Sequence, residues 1–349
     1  MNLKPAVAIA LIALTALSGC SRRATEDAPA AQSKGAATEV RLGYFPNVTH
    51  AAALIGVEKG LFAKELGNTK LTTQTFNAGP DEVNALLGES LDIAYIGSGP
   101  AINAYSKSKG EAVKLIAGAT SGGAQLVVKP EINSVEDLKG KTVATPQLAN
   151  TQDVALKKYL AEKNLTGQVT VQNVENAQSL DLFKKGDIQG AWAPEPWSSR
   201  LVAEAGAKVL LDEKTLWEGG QFPTTVVIVR TKFLQEHPET VEAVLKGHVA
   251  AIDWAKANKD EAKTTVNAAL EKLTSKKLGD KILASAWDHI ELTTDAQAKT
   301  FPQLAKDAVT AGVAKEAANV AGYADFTLLN KVLLAQGKPQ VQAAGLDKK

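Results

Sequence analysis

Between residues 39 and 230, segments that alternate apolar and polar side chains take turns with segments of helical period. That alternation constrains the fold more than any other feature of the chain. Strands are expected at Val40-Arg41-Leu42-Gly43-Tyr44 and at residues 70–76 and 91–96, with helices over 51–62, 81–87 and 100–106. A second set starts after Pro130, with strands at 141–144, 169–172 and 188–192 and helices over 151–163, 177–185 and 197–205. A last strong strand, residues 224–230, leads into helices that fill the chain to about residue 334. Strands that alternate with helices form a parallel sheet covered on both faces. Two such sets give an α/β chain of two lobes, each a mostly parallel sheet flanked by helices. The chain crosses between them near residues 125–129 and returns near 221–229. Two crossings make a hinge, and a ligand would lie in the cleft between the lobes. The boundaries follow as 39–124 for the first part of lobe 1, 125–222 for lobe 2, and 223–349 for the return to lobe 1 and the C-terminal helices.

The N-terminus carries a different signal. Lys4 precedes the apolar run at residues 5–14, which is too short to span a bilayer, so residues 1–19 are expected to be an export signal. The single cysteine, Cys20, closes Leu17-Ser18-Gly19-Cys20. That tetrapeptide looks like the bacterial lipobox, in which the cysteine is acylated and the signal is cut just before it. Several acyl chains together give stable attachment, at about 0.8 kcal/mol per buried methylene. The alternative is an ordinary cleaved signal with an incidental cysteine. Residues 20–38, rich in Ala, Ser, Gln and charge, read as a flexible tether between lipid and fold.

Removing Lys4 with the signal leaves 38 basic against 38 acidic residues. A balanced charge offers no field for nucleic acid, and membrane contact is expected through the lipid alone. With Cys20 acylated, no thiol remains for a disulfide, and 45% hydrophobic residues must supply the cores of a monomer. Motifs of common enzymes are broken. Gly97 and Gly99 begin a dinucleotide fingerprint that Ile102 ends, and Gly140-Lys141-Thr142 lacks the first glycine of a phosphate loop, because Val135 stands there. Ser98 follows Ile96 where a nucleophile elbow has glycine. The four histidines, His50, His237, His248 and His289, have no partners at metal-ligand spacing, so neither metal nor cofactor is expected.

Four segments carry a resemblance: residues 43–51 (GYFPNVTHA), 88–94 (GESLDIA), 137–143 (DLKGKTV) and 192–197 (WAPEPW). In this order they resemble the solute-binding proteins of ABC importers for nitrate, taurine and aliphatic sulfonates, over roughly residues 39–326. The resemblance implies the two-lobed, type II-like periplasmic-binding fold, an ABC permease as partner, and an aliphatic sulfonate or similar small oxyanion as solute. Around Pro46, Asn47 and His50 the chain is also similar to relatives that bind thiamin-pyrimidine precursors, which keeps a second ligand class open. A pyrimidine synthase on this fold would need cysteine-rich metal chemistry that a chain with no free thiol lacks.

In open α/β sheets, ligands sit beyond the carboxyl ends of the strands. Three strand-to-helix turns therefore supply candidates. At the first, Asn47 and Thr49 either cap the helix or meet the ligand, and His50 either packs or donates to an oxyanion. At the second, Gly97-Ser98-Gly99-Pro100, glycine permits close approach and Ser98 offers a hydroxyl. At the third, Gln147 and Thr151 are candidates, while Asn150 with Asp153 resembles a capping box. Gly79 and Ser121 lie on the rim. Exposed N–H groups and the helix dipole together suit an anion, each contact contributing about 0.3–1 kcal/mol. Glu195 would repel a sulfonate if it faced the site, unless the ligand also carried an amine. Trp192 and Trp197 serve either the pocket wall or the core.

Overall fold

The structure is a computed structural model that describes residues 33–348. The expected export signal, Cys20 and the expected tether up to residue 32 lie outside the described residues. In chain order the strands are β1 (Glu39–Tyr44), β2 (Lys70–Thr75), β3 (Ile93–Gly97), β4 (Val113–Gly122), β5 (Ala124–Val128), β6 (Thr142–Thr145), β7 (Thr170–Asn173), β8 (Gly190–Pro194), β9 (Lys208–Asp212), β10 (Pro223–Arg230) and β11 (Ile290–Leu292). The helices that matter below are α1 (Ala51–Glu58), α2 (Leu61–Leu66), α3 (Gly79–Leu87), α4 (Ser98–Lys107), α5 (Thr151–Glu162), α6 (Asn176–Lys185), α7 (Trp197–Ala205), α8 (Thr231–Glu236), α9 (Pro238–Ala257), α10 (Lys259–Thr274), α11 (Asp280–Asp288) and α12 (Phe301–Thr310). Among the described residues no helix is long and apolar enough to cross a membrane.

The strands form two sheets, in the orders β11-β4-β10-β3-β1-β2 and β7-β6-β8-β5-β9. Both are mixed, which refines the expectation of mostly parallel sheets. β2, β1 and β3 run parallel, as do β7, β6 and β8. β10 is antiparallel to β3 and β4, and β5 is antiparallel to β8 and β9. Each parallel strand is followed by a helix, which supplies the crossover a parallel pair requires. The antiparallel strands carry the chain between the sheets. It leaves the first sheet at Gly122 and enters the second at Ala124, through Gly122 and Gly123 at φ +70° and +78°. Residues 125–128, expected as a crossing, are therefore strand β5.

Side chains alternate across the second sheet and split its core in two. Leu126, Val128, Val143 and Trp192 pack on one face against Leu156 and Leu160 of α5. Val127, Ala144, Ala191 and Ala193 pack on the other against Leu180 and Phe183 of α6 and Leu201 of α7. Trp192 is thus a core residue, fully buried, with its indole N–H donated to Glu213 at 2.8 Å. The last residues of the expected tether are held to the fold. The Ala37 amide donates to Thr240 at 2.8 Å, Thr69 donates to the Ala37 carbonyl at 2.6 Å, and the Lys70 amide donates to the Thr38 carbonyl at 2.9 Å.

One buried charge ties three segments of the first sheet. Asp92 accepts from Arg41 through Nε at 2.8 Å and Nη2 at 2.6 Å, and from Arg230 Nη2 at 2.7 Å. Burial alone would raise the Asp92 pKa, but the two guanidinium groups overcome it and hold the carboxyl below its ordinary value. A depressed carboxylate pKa gives stability that is present above the unfolded value and lost as pH falls through the folded one. Asp92→Asn should cost about 3 kcal/mol in denaturant unfolding, the low end for breaking a buried pair because Arg41 is partly exposed. The acid limb of stability against pH should also flatten. An acid limb like that of wild type contradicts the assignment.

Candidate functional site

A small cavity lies between the two sheets, beyond the carboxyl ends of their parallel strands. The first sheet and its turns supply Phe45, Asn47, Thr49, His50, Asn77, Gly97, Thr224 and Thr225, and the second supplies Asn150, Thr151, Gln152, Asn176 and Pro194. Among the described residues that line it there is no Arg, Lys, Asp or Glu. Its chemistry is that of neutral amides, hydroxyls and one imidazole.

The local geometry fixes which groups are free to donate. Asn47 precedes a turn of 3₁₀ helix at Val48–His50, and its side chain makes no cap bond. Instead its Oδ1 accepts the indole N–H of Trp197 at 2.9 Å. Indole is only a donor, so the Asn47 amide must present its oxygen to Trp197 and keep its NH₂ group for the cavity. His50 is buried and stacks on the Phe45 ring, centroids 4.4 Å apart. Its Nδ1 accepts the Phe45 amide at 3.2 Å, which places the ring proton on Nε2. Burial pushes the His50 pKa down to about 3, so the imidazole is neutral at any physiological pH and acts as a neutral donor. Thr225 is 1% exposed and its Oγ1 makes no hydrogen bond, an unsatisfied donor within the lining. Asn150 serves its own helix, accepting the Thr151 amide at 2.9 Å, while Asp153 accepts the Ala149 amide at 2.9 Å. The N-termini of α5 and α6 both reach the cavity, through Thr151 and Gln152 and through Asn176.

Of the residues expected at the site, Asn47, Thr49, His50 and Thr151 line the cavity. The others lie beside it. Ser98 is fully buried, with Oγ unpartnered and outside the lining. Ser121 accepts from Gln297 at 2.7 Å, and Gln147 donates to Asp81 at 2.9 Å. Gly79 packs under Pro100. Trp197 acts through Asn47. Glu195 is buried away from the cavity, where its Oε1 meets His289 Nδ1 at 2.7 Å and accepts from Ser199 Oγ at 2.9 Å. The bond to Glu195 raises the His289 pKa. Ser199 also reaches Ser285 at 2.9 Å, so this cluster joins α7 to α11, and Glu195 is not among the lining residues. Sequence reasoning did not single out Phe45, Gln152, Asn176, Pro194, Thr224 or Thr225. Thr224 and Thr225 begin the returning strand β10, which no strand-to-helix turn marks. Among the described residues no three His, Cys, Asp or Glu side chains are placed to hold a metal.

The two sheets meet at the cavity through glycine. The Gly99 amide donates to Thr151 Oγ1 at 3.2 Å, so the first turns of α4 and α5 touch. A Cβ on Gly97 would stand 2.5 Å from Thr151 Oγ1, and one on Gly99 would stand 3.2 Å from the Thr151 Cα. The Thr151 side chain cannot turn away without breaking its bond to Gly99. Gly97→Ala should therefore hold the two sheets apart while each core stays packed. Small-angle scattering should give a larger radius of gyration than wild type with the melting temperature nearly unchanged. Superimposable scattering curves contradict the close-contact account.

Residues 33–270 match the model of the NMT1-like family. Over 199 residues the chain is 33% identical to the taurine-binding periplasmic protein of Escherichia coli strain K12, covering 57% of this chain and 61% of that protein. The match thus spans about three fifths of that relative. Among solved structures, the alkanesulfonate-binding protein SsuA from Xanthomonas axonopodis pv. citri, bound to MOPS, aligns with a TM-score of 0.68 at 18% identity. It covers 85% of this chain and 98% of that one. The periplasmic nitrate-binding protein NrtA from Synechocystis PCC 6803 aligns with a TM-score of 0.68 at 15% identity, covering 86% and 90%. These structural likenesses show a shared two-lobed α/β fold, and the family match shows that this chain belongs to the NMT1-like family.

Proposed function

We propose that this chain is an extracytoplasmic solute-binding lipoprotein of an ABC importer, which captures an aliphatic sulfonate or a similar small oxyanion and delivers it to the permease. The carrying observation is the lining of the interlobe cavity, which holds donors without formal charge. Amide, hydroxyl and imidazole N–H and O–H groups, with the N-termini of α5 and α6, solvate an anion by hydrogen bonds, and bonds to a charged group are each worth about 1.5–3 kcal/mol. Absence of a carboxylate from the described lining leaves the ammonium of a zwitterion without a counter-charge. A plain alkanesulfonate therefore fits better than taurine, its alkyl part against Phe45 and Pro194. The taurine-, alkanesulfonate- and nitrate-binding relatives support the same class. The bodies that close on the solute are residues 39–124 with 223–349, and residues 125–222. The protein acts as a monomer and turns nothing over.

Calorimetric titration with ethanesulfonate, butanesulfonate, taurine, nitrate and a formylaminopyrimidine tests the class. The alkanesulfonates should bind most tightly and raise the melting temperature by linkage. Asn47→Asp keeps the oxygen that Trp197 needs but replaces the NH₂ with a carboxylate oxygen. It should weaken sulfonate binding by about 100-fold or more, a lost charged hydrogen bond plus repulsion. Binding of the pyrimidine alone, or normal sulfonate affinity in Asn47→Asp, contradicts the proposal.

Anchoring is separate from the ligand. Residues 1–19 are removed on export and Cys20 carries the lipid, with the first residues of the tether between anchor and fold. Cys20→Ser should leave the membrane fraction or stay unprocessed. A processed Cys20→Ser protein that still sediments with membranes would refute the lipid anchor.

A further inference from the structure

A second, larger cavity, of about 110 Å³, lies on the opposite side of the Gly99–Thr151 contact from the polar site. It is bounded by α4, α5, α12 and the chain between β9 and β10. Its walls are mainly apolar, with Ile102, Val154, Trp217, Phe222 and Leu304 among them, and the Trp217 and Phe222 rings lie 5.3 Å apart. Unlike the polar site, it includes carboxyl groups. Glu213 is 1% exposed and contributes to the lining. Its Oε2 takes the Trp192 indole N–H at 2.8 Å, and among the described residues no hydrogen bond reaches Oε1. Asp307, 4% exposed, accepts from Gln303 at 2.7 Å on Oδ1 alone. Glu316 is a third acid of the lining, and Lys158, the cation among the described lining residues, is paired with Glu162 at 3.0 Å.

Each alternative ligand fails on this chemistry. An anion would meet the Asp307 and Glu316 carboxyl groups and one cation that is already paired. A neutral apolar molecule would fill the walls but cover the open Glu213 Oε1 and Asp307 Oδ2 without a hydrogen bond, which is costly in an apolar setting. A cation answers them, and aromatic faces such as Trp217 and Phe222 attract it as well. We propose that this cavity binds an organic ammonium ion with an apolar body, the ammonium held by Glu213 and Asp307 and the body lying against Trp217, Phe222 and Leu304. Burial, with the charges of Asp212 and Asp307 beside it, pushes the Glu213 pKa up to about 8 against the pull of the Trp192 N–H and Lys158, and burial raises that of Asp307. A bound ammonium draws Glu213 back to carboxylate with release of a proton, and binding tightens as pH rises towards 8.

The site also touches both halves of the molecule. α4 follows β3 of the first sheet, and α5 follows β6 of the second. An occupant that contacts both favours the arrangement in which they meet, and by reciprocity it raises affinity at the polar cavity. The ammonium site itself does not depend on what the polar cavity binds.

Titrating the purified full-length protein with hexylammonium, hexanol and hexanoate tests this. Hexylammonium should bind, and the other two should bind at least about tenfold more weakly, the difference one charged hydrogen bond makes. Glu213→Gln and Asp307→Asn should each weaken hexylammonium by about tenfold or more, and Ala305→Trp, which fills the cavity from α12, should abolish it. Saturating ethanesulfonate should not displace it. Equal binding of the three probes, no binding of hexylammonium, or normal binding by both Glu213→Gln and Asp307→Asn overturns the proposal. Competitive displacement by ethanesulfonate also overturns it, because the cavity would then belong to the anion site. A failure of ethanesulfonate to bind anywhere bears on the proposed importer function and leaves the hexylammonium result standing.

Discussion

Everything at the site depends on how closely two helix starts approach each other. The first turn of α4 lies on the first turn of α5 because Gly97 and Gly99 have no Cβ, and the Gly99 amide closes on Thr151 Oγ1. That contact brings the donors of two separate sheets around one small volume. It also divides that volume from the larger apolar cavity, since Thr151 lines both. Two further bonds hold the same arrangement from other directions. Trp197 reaches Asn47 across the cleft, and the Glu195, Ser199, Ser285 and His289 cluster ties α7 to α11. The Trp197–Asn47, Ser199–Ser285 and Glu195–His289 bonds span the gap, so each is made only when the lobes are together.

The charges of the molecule are sorted by location. Asp92 with its two arginines braces the first sheet, Glu195 with His289 braces the gap, and Glu213 and Asp307 face the apolar cavity. The polar cavity is left with neutral donors. Under the proposed function, a site of that kind selects an anion through the number and direction of hydrogen bonds, and a neutral imidazole such as His50 keeps its donor as pH changes.

Much of the fold was legible in the sequence where local pattern and tertiary structure agree. Each parallel strand followed by a helix was found, often to within two residues, because a parallel crossover obliges the chain to alternate. The strands that escaped, β4, β5, β9 and β11, are all antiparallel and lie outside that alternation. The run through β4 and β5 hid a sheet change that only the left-handed Gly122 and Gly123 mark. At the site, Asn47, Thr49, His50 and Thr151 were legible because a strand-to-helix turn points them at the cleft. Thr224 and Thr225 were not, since they open a strand. The charge partner of Glu195 was hidden too, because His289 lies 94 residues away and only the folded chain brings the two together.

A crystal structure of the protein with ethanesulfonate is the most direct test of how the cleft works. The sulfonate should lie in the polar cavity, with oxygens about 3 Å from Asn47 Nδ2, Thr225 Oγ1 and the Gln152 backbone amide, and with the Gly99–Thr151 bond intact. A sulfonate held instead by lysine or arginine side chains, or seated with α4 and α5 apart, would contradict it.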